Sequence, residues 1–196
     1  MRVEHLDCGP MRPLGSKPFV AHVFLVDPGD GSGLILVDTG FGLADVANPK
    51  HRMGLSRFFL RPDLDVQNTA VRQLAARGID PGDVAHIVLT HLDFDHAGGL
   101  SDFPNATVHT TAAEHEAAVA NLRFSDTTRY RSPQFAHGPR WKLHEGTGDV
   151  WRDDLTGHEV VPGVTLVPLP GHSRGHAAVA VDAGERGLLV HAGDAA

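Results

Sequence analysis

Four apolar runs in this chain end on an ionisable residue: "LILVD" on Asp38, "AHIVLTH" on His91, "GVTLVPLPGH" on His172 and "LLVHAGD" on Asp194. Short branched runs bounded by glycine and proline read as strands. The ends of the strands in a sheet lie along a shared edge, which is where side chains are presented for chemistry. This punctuation therefore predicts strands that carry His and Asp to one place.

The rest of the chain fits around those strands. "KPFVAHVFLVD" and "GLILVDTG" flank the glycine-rich turn "PGDGSG" and predict an antiparallel hairpin. From Phe41 to Pro62 the pattern turns irregular, with Lys50, Arg52, Arg57 and Arg61 among Phe58, Phe59 and Leu60. It reads as a loop or lid. "NTAVRQLAARG" predicts a helix with Val71, Leu74 and Ala75 as its apolar stripe, capped by Asn68 and ended by Gly78. "ATVHTT" is another strand, and Thr111 with Glu114 forms a capping-box pattern opening the helix "AAEHEAAVANL". Arg123 to Trp151 reads as a second irregular insertion, and "AAVAVD" and "LLVHAGD" flank the turn "AGERG". No repeat or linker divides the sequence, so the expectation is one α/β domain over residues 1–196.

Composition narrows the function classes. A formal net charge of -7 gives no general attraction to nucleic acid or to an anionic membrane. No run approaches the length of a membrane helix, no apolar signal core follows Met1-Arg2, and the one cysteine, Cys8, excludes an internal disulfide framework. The expected location is cytoplasmic. Fourteen histidines against one tyrosine prompt a search for a metal site.

The stretch "THLDFDHAGG" answers that search. Residues two apart at the mouth of a strand point the same way, so His91 and Asp93 converge on one point while Asp95 and His96 face a second. Imidazole and carboxylate suit Zn, Fe and Mn, and the absence of thiolate argues against a closed structural zinc site. An acidic loop with solvated histidines is the plainer reading for any single residue of the four, and a poor one for all four together.

His91, Asp93, Asp95 and His96, then "PGHSRGH", then "AGD", in that order after a "VDTG" hairpin, resemble the metallo-β-lactamase-fold hydrolase superfamily over nearly the whole chain. The resemblance implies an αββα sandwich with two metals at one edge of its paired sheets. By position it implies that His91, Asp93 and His172 hold the first ion, that Asp95 and His96 hold the second, and that Asp194 bridges them. Asp38 would orient a ligand or the local loop from behind. His176, His191, Ser173 and Cys8 are read as structural.

This sequence departs from the family pattern at two points. The usual motif has histidine where Asp93 stands; the carboxylate adds negative charge, makes the first site harder and raises the rank of Fe and Mn beside Zn. It also resembles the diiron flavoproteins of the same superfamily, which leaves a diiron-type oxidoreductase as one alternative. Secondly, the sequence stops two residues after Asp194, so the expected sandwich lacks its C-terminal strands, its last helix and a final metal-binding histidine. That leaves open positions at the second site, an unpaired sheet edge that favours association with a second copy, and the further alternative of a metal-binding homologue with impaired catalysis.

A hydroxide held between two divalent ions is a nucleophile at neutral pH, and Asp95 could orient it or pass a proton to the leaving group. The leading expectation is a metal-dependent hydrolase acting on a small ester, lactone or thioester. Leu43 to Pro62 and Arg123 to Lys142 are the expected pocket walls, offering Arg129, Tyr130, Arg131, Arg140 and Trp141 to an acidic or aromatic substrate group.

Overall fold

A computed structural model of the chain describes residues 1–120 and 129–195. The first sheet is built from β1 (Arg2–Met11), β2 (Phe19–Asp27), β3 (Leu34–Val37), β4 (Val84–Val88), β5 (Thr107–Thr111) and β6 (Arg140–His144), lying in that order. Its first half is an antiparallel meander, and β3 to β6 run parallel. The second sheet is an antiparallel meander in the order β11-β10-β9-β8-β7, made of β7 (Asp149–Arg152), β8 (Leu155–Val161), β9 (Val164–Pro168), β10 (Ala177–Asp182) and β11 (Leu188–His191).

Alternation along the strands decides which face each residue covers. On β2 and β3, Phe24, Val26, Ile35 and Val37 point towards the second sheet and pack with Val164, Leu166, Val179 and Val181. Their neighbours Val23, Leu25 and Leu36 point the other way, into a core with Leu74 of the helix Ala70–Ala76 and with Ala117 and Ala118. The centre of the first sheet is thus buried on both faces, which is why β3 reads as a continuous apolar run. Among the described residues no helix is long and apolar enough to cross a membrane.

The expected hairpin, the strands at "AHIVLT", "ATVHTT" and "GVTLVPLPG", and the closing hairpin all form. Other expectations need correction. The first strand begins at Arg2, and β6 to β8 occupy a stretch read partly as irregular insertion; residues 121–128 of that stretch lie outside the described residues. Phe41 to Pro62 is no open loop: it folds into α1 (Leu43–Ala47), α2 (Pro49–Met53) and α3 (Ser56–Leu60). Arg52 is buried there, bonding Asp45 Oδ1 at 2.9 Å, the Gly98 carbonyl at 3.0 Å, and the Pro133 carbonyl and Gln134 Oε1. Further on, α4 (Ala70–Ala76) takes Thr69 as its N-cap, because Asn68 closes a 3-10 turn instead.

A histidine ladder crosses the first sheet. His109 is buried and sits 3.0 Å from His86 Nδ1 through Nε2 and 3.1 Å from His144 Nε2 through Nδ1. Burial, with the neighbouring histidines adding, lowers His109 to about 3 and His144 to about 4 from an ordinary 6.5. The unfolded chain therefore binds more protons than the folded one between those values and 6.5. Stability from this ladder is complete above pH 6.5 and is lost as pH falls towards 4 and 3. His109→Leu should cost about 1–3 kcal/mol at pH 7 by stranding its two partners. Urea midpoints should show the gap to the parent narrowing between pH 7 and pH 4.5.

Candidate metal centre

The site forms where the strand ends of the two sheets meet, and the Ala177 N–H joins them directly by donating to the Thr90 carbonyl at 2.8 Å. After β4 the chain passes through His91 to Asp93, whose backbone is extended, then turns into the one-turn helix α5 (Phe94–Ala97) that carries Asp95 and His96. The second sheet delivers His172 in the turn after β9 and Asp194 just beyond β11.

Six predicted residues come together here. His91 Nε2 and His172 Nε2 each lie 3.2 Å from Asp93 Oδ2. Asp194 divides its carboxylate, with Oδ1 3.3 Å from His96 Nε2 and Oδ2 3.4 Å from His172 Nε2. Asp95 Oδ2 stands 3.9 Å from His96 Nε2. His91, His172 and Asp194 each turn one donor atom inward, all within 4.8 Å of one another.

Behind the histidines a hydrogen-bond chain fixes which nitrogen faces inward. Asp38 is wholly buried and accepts from the Thr90 N–H and Thr90 hydroxyl, both at 2.8 Å, and from His96 Nδ1 at 2.8 Å. Having given its only proton to Asp38, the Thr90 hydroxyl can only accept from His91 Nδ1, 3.0 Å away. His91 is therefore the Nδ1–H tautomer, and its Nε2 lone pair points into the centre. That atom is buried and makes no hydrogen bond. An orphaned imidazole nitrogen is costly unless something satisfies it, and beside a second imidazole and several carboxylates a divalent cation fits.

The charges point the same way. Burial pulls His96 down, but the Asp38 and Asp95 carboxylates pull harder and raise it well above its ordinary value. Asp95 is raised by burial, with Asp93 and Asp194 adding to the effect. Asp194 is lowered by its hydrogen bond to His96. Burial raises Asp93, yet the bonds from His172 and Arg129 outweigh it and hold the carboxyl far below its usual range.

The sequence pattern of the metallo-beta-lactamase superfamily matches residues 16–196. The chain belongs to that superfamily. Among curated relatives it is 48% identical, over its whole length, to a probable metallo-hydrolase of Mycobacterium tuberculosis, of which it spans 62%. It is 32% identical to an N-acyl homoserine lactonase of Bacillus cereus, over 81% of this chain and 57% of that one. A solved N-acyl homoserine lactone hydrolase, with N-hexanoyl-L-homoserine bound at its catalytic metal centre, superposes with a TM-score of 0.75 at 27% identity, covering 98% of this chain and 74% of that one. The paired sheets are the αββα sandwich of this superfamily, and divalent metal binding is a property the superfamily implies.

Within the superfamily frame several side chains differ from expectation. Arg129 and Tyr130, expected as pocket wall, do line a cavity of about 390 Å³ beside His172, but their polar ends are engaged by the scaffold: the Tyr130 hydroxyl donates to Glu114 Oε1 at 3.0 Å, and Arg129 grips Asp93. Arg140 and Trp141 lie on β6, where Trp141 packs on His115 and Phe135. Arg131 reaches the His51 carbonyl. Apolar residues of the loop expected as a wall do reach the site, since Phe59 and Leu60 share a cleft of about 310 Å³ with Phe19, Phe94, His172 and Asp194. His176 donates through Nδ1 to the Leu169 carbonyl and accepts the Asp194 N–H on Nε2, while His191 pairs with the His22 carbonyl. Cys8 is buried, and burial pushes its thiol up to about 12, which makes it unreactive.

Glu114 was visible in sequence only as half of a capping box. Thr111 does cap the helix α6 (Ala112–His115), accepting the Glu114 N–H, but the Glu114 carboxylate goes elsewhere. It is fully buried and accepts from the Leu92 N–H and Tyr130 on one oxygen, and from Ser173 Oγ and the Gly175 N–H on the other. The motif loop and the His172 turn are thereby fastened to one anion. Glu114→Gln must leave either the Leu92 or the Gly175 N–H facing an amide NH2. Urea unfolding should register a loss of about 1–3 kcal/mol, with faster amide exchange in Gly171 to Gly175; an unchanged midpoint would count against this anchor.

Proposed function

We propose that this chain carries the centre of a metal-dependent hydrolase acting on a small ester, lactone or thioester with an apolar substituent. The observation that carries the proposal is the buried, unpartnered Nε2 of His91 among converging histidines and carboxylates. His91, Asp93 and His172 would hold one ion, and Asp95 and His96 a second. Asp194, whose two oxygens face His172 and His96 separately, would bridge them. Zn suits this donor set best, with Fe and Mn as the harder alternatives that Asp93 favours. Such ions supply Lewis acidity at an acyl oxygen and make water nucleophilic at neutral pH.

The protein's own groups do the rest. Asp38, through Thr90 and directly, keeps the Nε2 atoms of His91 and His96 turned inward. Asp95, buried at the centre, would take a proton on a carboxylate oxygen and return it to the leaving group. Phe19, Phe59, Leu60 and Phe94 line the cleft beside the site, where they would exclude water and seat an alkyl or acyl group. The lactonases among its relatives support a lactone as the first substrate to try.

His91→Ala and His172→Ala should each lower bound metal in protein purified without added zinc, as read by elemental analysis. Asp194→Ala should lose more than Asp93→Ala, because it would touch both ions. Retention of the parental stoichiometry in both histidine variants would overturn the site. Run beside it, an ester and lactone panel tests turnover, which should fall in step with metal.

A further inference from the structure

The carboxylate of Asp93 stands where the superfamily motif has a neutral histidine, beside two further carboxylates, Asp95 and Asp194. It also stands at the N-cap of α5 without capping it. Both of its oxygens are engaged by Arg129: Nε reaches Oδ1 at 2.8 Å and Nη2 reaches Oδ2 at 2.9 Å. The remaining arm of the guanidinium, Nη1, donates to the His172 carbonyl at 2.6 Å. These two side chains are 32% and 14% exposed, so neither charge is fully solvated.

We infer that Arg129 is the counter-ion that lets a carboxylate serve at position 93: the pair is neutral as a unit, as a histidine would be, and the same guanidinium ties the His172 turn to the motif. This rests on the metal-site reading above. A planar fork does both jobs at once, because parallel N–H groups match the carboxylate while a third is left for the carbonyl. The Tyr130 bond to Glu114, on the adjoining residue, holds the backbone that presents the fork. Arg129 is a positioning residue, since it acts on the bound ion through Asp93 and His172.

A purely structural role for Arg129 does not predict how the two positions depend on each other. Restoring the superfamily's usual residue with Asp93→His should harm the site, because it leaves an unpaired guanidinium close to where a cation binds. Zn²⁺ affinity of the 196-residue chain, measured by competition with a chelating dye, should fall about tenfold or more. Adding Arg129→Met removes the stranded charge, so the double variant should recover to within about threefold of the parent. Should Asp93→His fail to fold by circular dichroism, Asp93→Asn and Asp93→Asn with Arg129→Met pose the same question with an isosteric side chain. An Asp93→His variant that binds Zn²⁺ as tightly as the parent, or a double variant as weak as the single, overturns the counter-ion role while leaving the site intact. A parent chain that binds no Zn²⁺ overturns the site reading itself, and this inference with it.

Discussion

The structure around the site depends on one buried carboxylate. Asp38 has no exposed surface and a left-handed backbone, φ 59°, which aspartate tolerates better than most residues. A buried anion is costly unless its lone pairs are filled, and here they are filled by groups from two other segments: Thr90 at the end of β4 and His96 on α5. Around it the "VDTG" turn and the motif are laced together. Both the Thr39 N–H and the Thr39 hydroxyl donate to the His96 carbonyl at 2.8 Å, and the Gly99 N–H donates to the Gly40 carbonyl at 3.0 Å. The approach is so close that a Cβ on Gly40 would lie 2.3 Å from Cys8 Cβ, and one on Gly98 2.1 Å from Asp45 Oδ2. Glycine at both positions is a packing requirement.

The opposite side of the site hangs from a second buried carboxylate. Glu114 holds Leu92 of the motif, Tyr130, and the turn containing Ser173 and Gly175, so His172 is positioned by an element distant in sequence. Glu114 therefore joins both sheets, whereas the bonds to Asp38 come from the first. Asp38 organises residues that leave the first sheet, and Glu114 fastens to them the turn that leaves the second. Neither faces the centre, and both are spent entirely on protein donors. Mobility at the site is restrained from behind, which leaves the inward-facing atoms free to meet a ligand at little ordering cost.

What could be seen in sequence was what strand geometry expresses locally. The ends of β3 and β4, and the turns that carry His172 and Asp194, were legible because a branched apolar run broken by glycine or a charged residue has few other readings. The closeness of His91 and Asp93 followed from their spacing. By contrast, Glu4, Asp7 and Pro10 interrupt the apolar sequence of β1, and β6 and β7 are mostly exposed, so none of the three shows the run of apolar residues that marks a strand. The helices α1 to α3 have five residues each, too few for a helical period to emerge. The bond between Arg52 and Asp45, the destination of the Glu114 carboxylate and the grip of Arg129 on Asp93 are long-range matters of tertiary structure, and no local pattern encodes them.

The division between scaffold and centre is sharpest in the imidazoles. His91 and His96 both engage Nδ1 with the Asp38 and Thr90 assembly and both turn Nε2 inward, where His172 Nε2 also lies between Asp93 and Asp194. In the chain behind the centre, Asp38, Thr90 and the Nδ1 atoms of His91 and His96 all have partners. Inside the centre, buried His91 Nε2 has none, and three carboxylates stand within reach of one another's fields. A fold could avoid that cost by placing apolar residues of similar volume there, because an unpaired buried polar group is destabilising. Nitrogen and oxygen donors turned towards a common point are instead an arrangement whose cost a cation offsets.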